Sequence, residues 1–110
     1  MSLGEALRDA RGAGLCVRIA DLGAWPLRPI LAEYDPADRS IAVNARIVAA
    51  LRREHGVAFA RRFVTFAILH ELHHHQNGSR DEKAAHSSAR RHCGDRAMSF
   101  ETAVRALAMR

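Results

Sequence analysis

Three short apolar stretches in the first 44 residues are typical of β-strands. Residues 15–20 predict the first strand, and residues 30–34 and Ser40–Asn44 predict two more. Pro36 lies between the last two and presets a turn, so we expect these two strands to form a hairpin. A helix over residues 2–11 is predicted before the first strand, because glycines follow it.

After the hairpin the hydrophobic pattern changes to a helical period. Ile47, Val48 and Leu51 recur at helical spacing, and Gly56 ends that helix. Residues 63–69 are apolar on almost every side, which predicts a long helix through the interior of the protein, ended by Asn77-Gly78. Residues 79–82 have the form of a capping box that opens a further helix, and a last helix is expected over residues 100–109. The pattern predicts an α+β fold with a small, mostly antiparallel sheet packed on a buried helix, followed by a helical C-terminal part.

The composition narrows the class of protein. A chain of 110 residues, 48% hydrophobic and 26% charged, is typical of one globular domain over residues 1–110. No apolar run approaches the roughly 20 residues of a membrane helix, and the N-terminus does not resemble a signal peptide, so we expect a cytoplasmic protein. Cys16 and Cys93 are expected to remain thiols and to be small buried side chains.

The charge of the chain is compatible with an anionic partner but indicates little more. The net charge is +5 and the sequence pI is near 10.5. The arginines are spread along the whole chain, and aromatic residues are only 5% of it, so the stacking surface of a nucleic-acid binder is not apparent. Nucleic-acid binding is therefore a weakly supported prediction.

The most informative segment is the array His70-Glu-Leu-His-His74 at the end of the predicted buried helix. Residues four apart on a helix lie about 40° from one another around its axis, so His70 and His74 present their imidazoles together, as a tetrahedral metal requires. Glu71 lies beside that pair, where it can exchange a proton with water activated by the metal. The alternative is a solvated, histidine-rich helix end, but charged groups directly after an apolar run are costly to bury without a partner.

A catalytic zinc site has three protein ligands and one water, so a third ligand is expected downstream. If the helices on either side of residues 77–79 fold back on each other, Glu82 comes opposite His74 and His86 opposite His70. Glu82 is the favoured ligand, although it also fits the third position of the capping box. His86 is the main alternative, as a ligand or as a residue that orients one, and the further candidates are Asp81, His92 and Glu101. Candidate donors to an oxyanion, or to substrate, are Tyr34, His86 and Arg80.

The order of strand, hairpin and helix, ending in His70-Glu-Leu-His-His74, resembles the zincin metallopeptidases, and the small size is similar to that of the single-domain minigluzincins. Residues 81–89 also resemble the glutamate helix of gluzincins and of the small peptidases that cleave phage-type repressors. The resemblance implies His70, His74 and Glu82 as Zn²⁺ ligands and Glu71 as the general base and acid.

The resemblance further implies a zinc-dependent peptidase that acts on a peptide or protein. It would bind substrate in extended form along Ser40–Asn44, which is expected to be an edge strand. A latent form, in which the C-terminal segment or a second copy of the chain covers the cleft, is also implied, so the protein is expected to be a monomer or a latent homo-oligomer. An alternative function is a metal-stabilised regulatory or DNA-binding module without turnover. Imidazole and carboxylate also bind iron, cobalt, nickel or manganese, so the metal is inferred from ligand type alone.

Overall fold

A computed structural model describes residues 2–23, 30–78, 81–93 and 96–108. These residues form five helices and one sheet of three strands. The elements in chain order are α1 (Leu3–Gly12), β1 (Cys16–Ala20), β2 (Ala32–Asp35), β3 (Ser40–Asn44), α2 (Ala45–His55), α3 (Val57–Asn77), α4 (Glu82–Cys93) and α5 (Arg96–Ala108). The fold is α+β, mostly helical, as the sequence predicts.

The sheet is mixed, so the prediction of a mostly antiparallel sheet is wrong. β2 and β3 form the predicted hairpin and pair antiparallel, with Tyr34 opposite Ile41. β1 pairs with β3 in parallel, with Val17 opposite Ile41. β2 lies on the other side of β3 from β1, so β1 and β3 are direct neighbours and run in the same direction.

β3 is the central strand, in the order β1-β3-β2, so the prediction that Ser40–Asn44 forms an edge is wrong. All five residues of β3 are buried, because a neighbouring strand covers each side of it. The two edges are β1 and β2, and of these β2 packs against α3. Any extended ligand that pairs with the sheet beside α3 must therefore meet β2.

The long helix α3 runs through the core, as predicted from its apolar sequence. Residues 63–69 are all buried, and α3 contacts α1, α2, α4, α5 and the sheet. The rings of Phe63, Phe66 and Phe100 are nearly inaccessible to solvent. Gly56, with φ 92°, precedes the helix, and Gly78 ends it in the left-handed conformation with φ 58°.

Several element ends differ from the predictions. β2 begins at Ala32 rather than at residue 30, and α5 begins at Arg96 rather than at residue 100. The predicted capping box also does not open α4. The helix begins at Glu82 itself, and the Asp81 carboxylate accepts a hydrogen bond from the Ala84 N–H, 3.1 Å away, as an N-cap does. Ser79 lies outside the described residues.

Cys16 is exposed, so the prediction that it is buried is wrong. The residue opens β1 at an edge of the sheet, where no further strand covers it, and it is a free thiol. The Cys93 side chain lies outside the described part. Among the described residues, no helix combines the length and the apolar character needed to cross a bilayer.

Candidate metal centre

The last two turns of α3 bring His70 and His74 together. The residues are four apart on the helix, and their ring centroids are 5.2 Å apart. The His74 side chain is 8% exposed and that of His70 14%, so both imidazoles lie near the core rather than in solvent. Burial lowers the pKa of His70, although the Glu82 carboxylate acts in the opposite direction. Burial therefore favours the uncharged form of His70, which is the form that metals bind.

Glu82 reaches across from α4 to both histidines. Its Oε2 is 2.9 Å from His70 Nε2 and its Oε1 is 2.9 Å from His74 Nε2. The ligand atoms of the three residues all lie within 4.8 Å of one another. Since Asp81 caps α4, the Glu82 carboxylate does not have to turn back to the helix end, and it bridges the imidazoles instead.

This arrangement fits a metal ion. Three ligand atoms at about 2.0–2.2 Å from zinc in a tetrahedron lie roughly 3.4 Å from one another. This value lies between the 2.9 Å from Glu82 to each imidazole and the 4.8 Å within which all three ligand atoms lie. Both histidines present Nε2 to the same carboxylate. The Glu82 side chain is 76% exposed, so the group is accessible to an ion from solvent.

The other candidate ligands lie outside this group. His86 packs its ring against Phe66 and His70, with centroids 5.5 and 6.4 Å away, which places it next to the candidate ligand His70. Asp81 is the cap of α4. The side chains of the candidate ligands His92 and Glu101 lie outside the described part of the chain, and so does Arg80, a candidate donor to the oxyanion or to substrate.

Glu71 lies beside the group and lines both cavities that open next to it. The pKa of the Glu71 carboxyl is raised to about 7, chiefly by burial; His74 lowers it, and the nearby carboxylates of Glu82 and Glu33 raise it. A carboxyl group with a pKa near 7 can both accept and donate a proton at neutral pH, which a general base and acid requires.

The two cavities lie along β2. The larger, of about 690 Å³, is lined by Tyr34, Asp35 and Gly78 together with Glu71, His74 and Glu82. The smaller, of about 240 Å³, is lined by Leu31, Phe66 and His70, and also by Glu71 and Glu82. Ala32 of β2 lines both. The group of His70, His74 and Glu82 therefore stands at the middle of a cleft between β2 and the end of α3.

Tyr34, which the sequence predicts as a hydrogen-bond donor to an oxyanion or to substrate, lies in this cleft. It contacts His75, which was not predicted as a site residue. Its hydroxyl is within hydrogen-bonding distance of His75 Nδ1, at 2.7 Å, and the two rings meet edge to face. Glu33, which acts on Glu71, was missed as well. Side chains alternate between the two faces of a strand, so Glu33 and Asp35 lie on one face of β2. The predicted strand ended at residue 34, so this pair was not recognised.

The raised pKa of Glu71 predicts a pH-dependent stability of the metal-free protein. The pKa of this carboxyl group in the folded protein, about 7, lies above its ordinary value of 4.5. The group therefore contributes its full stabilisation below pH 4.5, and this stabilisation is lost as the pH rises through about 7. A shift from 4.5 to about 7 corresponds to at most about 3 kcal/mol. We therefore expect Glu71→Gln, measured in chelator, to become more stable relative to wild type as the pH rises from 5 to 8.

Urea unfolding at several pH values measures this difference, and Glu5→Gln, an exposed change on α1, is the control. A difference between wild type and Glu71→Gln that stays constant from pH 5 to pH 8 would mean that Glu71 is not perturbed by burial.

Comparison with known protein families, with curated proteins and with solved structures finds no match to this chain. The functional interpretation therefore rests on the residues and geometry of the cleft.

Proposed function

We propose that this protein is a zinc-dependent peptidase of the zincin kind. In this proposal His70, His74 and Glu82 bind the ion, and Glu71 moves the proton during hydrolysis of a peptide bond. The observation that carries the proposal is the convergence of three ligand atoms within 4.8 Å beside a carboxyl group whose pKa is raised to about 7. The cytoplasmic location stays a prediction.

The chemistry of the ligand set favours zinc. Two imidazoles and one carboxylate are a known ligand set of catalytic zinc, and they leave a fourth position for water or substrate. When bound, zinc supplies a Lewis acid that polarises the carbonyl of the peptide bond and lowers the pKa of water toward 7. The exposed carboxylate of Glu82 supports an open site rather than a closed structural one.

Glu71 is suited to proton transfer by its position and by its pKa. As a carboxylate it accepts a proton from the attacking water, and as the acid it delivers that proton to the leaving amine. The partial burial that raises its pKa keeps both forms accessible near neutral pH.

The edge strand β2 replaces β3 as the proposed binding site for an extended substrate. The Leu31 carbonyl accepts a hydrogen bond from the Asn44 N–H, at 3.0 Å, so Leu31 pairs with β3. Antiparallel pairing alternates, so the N–H and C=O groups of Ala32 and Tyr34 point away from β3. These groups are available to a peptide that lies in the cleft beside Glu71.

Tyr34 is the proposed donor to the oxyanion. It lines the larger cavity, and its contact with His75 joins β2 to the helix that carries the metal ligands. His86 is set back against Phe66 and His70, a position better suited to orienting His70 than to contacting substrate.

The substitution Glu71→Gln tests the proposal. It preserves the size of the side chain but removes its ability to accept a proton, so hydrolysis of a pool of unstructured peptides by the zinc-loaded protein should fall at least about hundredfold. Zinc binding should remain, because Glu71 is not in the ligand group. The readouts are peptide mass spectrometry for cleavage and elemental analysis for zinc, and Glu5→Gln on α1 is the control.

Two outcomes would contradict the proposal. If wild-type protein with about one zinc per chain cleaved no peptide, the peptidase function would be ruled out and a metal-stabilised module would be favoured. In that case a salt-dependent affinity for DNA that survives Glu71→Gln would support the regulatory or DNA-binding alternative. Cleavage that Glu71→Gln leaves intact would come from another residue or from a contaminant.

A further inference from the structure

The two cavities on either side of Glu71 and Glu82 differ in chemistry. They share Ala32, Glu71 and Glu82, so they are neighbouring compartments of one cleft rather than separate sites. An extended peptide along β2 passes from one compartment to the other as it crosses the candidate metal centre. Residues on the two sides of the cleaved bond would therefore meet different surroundings.

The smaller compartment is apolar apart from the shared residues and His70. Its walls include Ile30, Leu31, Phe66 and Ala67. Ile30 is 42% exposed and is one of few large hydrophobic side chains exposed among the described residues. A volume of about 240 Å³ with such walls is suited to one apolar side chain such as leucine or phenylalanine.

The larger compartment is acidic. Glu33 and Asp35 of β2 line it together with Glu71 and Glu82, and none of its lining residues in the described part of the chain is lysine or arginine. Within that part, Glu33 also forms no ion pair. A divalent ion would offset Glu82, whereas Glu33 and Asp35 would remain uncompensated. In a chain with a net charge of +5, this local excess of negative charge favours a cationic side chain.

We propose that the preferred substrate is an extended peptide with a lysine or arginine on one side of the cleaved bond and a large apolar residue on the other. This inference rests on the proposed peptidase function. The reaction breaks the C–N bond of the peptide; water gives its hydroxyl to the carbonyl carbon and a proton to the departing amine. The basic side chain occupies the compartment with Glu33 and Asp35, and the apolar one occupies the compartment with Ile30.

The first experiment maps cleavage sites. Zinc-loaded wild type and Glu71→Gln are incubated with a mixed pool of unstructured decapeptides, and the products are identified by mass spectrometry. We expect the cuts that depend on Glu71 to lie between basic and apolar residues, in one consistent order. Four matched peptides then vary the two positions. Replacing the apolar residue by alanine should lower kcat/KM at least about tenfold, and replacing the basic residue by glutamate at least about fivefold.

Variants of the cleft assign each preference to its compartment. The double variant Glu33→Gln, Asp35→Asn removes two charges and keeps an oxygen that can accept the hydrogen bonds from Ala37 N–H and Asp38 N–H. It should lower the ratio of kcat/KM for the basic peptide to that for a neutral peptide about fivefold, and any effect of Glu33 on the pKa of Glu71 cancels in that ratio. The control is the double variant Glu5→Gln, Asp9→Asn on α1. It also removes two negative charges, but away from the cleft.

Ile30→Ala should reduce the preference for the apolar peptide over its alanine counterpart roughly threefold. Ile19→Ala is its control, because Ile19 is 50% exposed on β1 and does not line the cleft.

These experiments distinguish the substrate preference from the peptidase function on which it rests. If no cleavage depended on Glu71, both the peptidase function and the substrate preference would be overturned. Cleavage that depends on Glu71 but shows no preference for basic and apolar residues, or a preference that the cleft variants leave unchanged, would keep the peptidase and overturn the substrate class.

Discussion

Zinc should stabilise the wild-type protein strongly and should leave a His74→Ala variant almost unchanged. His70 and His74 belong to α3 and Glu82 to α4, so an ion bound by all three links two helices that otherwise meet through packing. A ligand that binds only the folded state at a thousandfold excess over its Kd adds about 4 kcal/mol to the free energy of unfolding. For a chain of this size we expect a rise in Tm of roughly 15 °C or more.

The control for this measurement is His73→Ala. His73 lies on the same turn of α3 but contacts Asn77 and is not in the ligand group, so zinc should stabilise this variant as it does wild type. Each variant is compared with and without zinc, so the loss of packing caused by the substitution itself cancels. If zinc stabilised His74→Ala and wild type equally, the ion would be bound elsewhere and the candidate centre would be wrong.

The sequence predicts the grouping of His70, His74 and Glu82 because these residues lie close together along the chain. His70, Glu71 and His74 lie within five positions of one helix, and the apolar residues before them require that helix to be buried. Helical periodicity alone then places the two imidazoles side by side. The favoured third residue, Glu82, follows soon after in the next helix, and the structure brings it to the same point.

The strand order could not be predicted in this way. The hairpin depends on the local turn at Pro36, but the pairing of β1 with β3 joins residues 24 positions apart, such as Cys16 and Ser40. The apolar sequence of Ser40–Asn44 suits a central strand as well as an edge strand, so it did not exclude the wrong order. The exposure of Cys16 and the position of Glu33 in the cleft both follow from that order.

The start of α4 shows a different limit of sequence reasoning. Both Ser79 and Asp81 are good caps, and the choice between them changes the role of Glu82 from a capping residue to a neighbour of the histidines. Capping by Ser79 and capping by Asp81 are of similar strength, so the local sequence does not choose between them. When Asp81 is the cap, Glu82 contacts the histidines of α3, and no local sequence pattern contains those contacts.

Asn44→Ala should destabilise the protein by about 3 kcal/mol, more than an ordinary helix cap contributes. Asn44 is fully buried at the end of β3. Its side-chain oxygen accepts hydrogen bonds from the N–H groups of Arg46 and Leu22, at 3.1 and 3.4 Å, and its amide donates to the carbonyls of Ile30 and Gly23, at 2.9 and 3.4 Å. Alanine would remove the partner of these four partly buried backbone groups.

The matched control is Ser2→Ala, which removes the exposed N-cap of α1 and a single hydrogen bond of 3.1 Å to the Glu5 N–H. Urea unfolding should show a loss of about 1 kcal/mol for this variant and about three times that for Asn44→Ala, with unchanged m-values. If Asn44→Ala and Ser2→Ala lost the same free energy of unfolding, the hydrogen bonds of Asn44 to Ile30, Leu22 and Gly23 would contribute nothing to stability. Because Ile30 precedes β2 and lines the cleft, a larger loss for Asn44→Ala would also identify Asn44 as a residue that links the start of the edge strand β2 to the core.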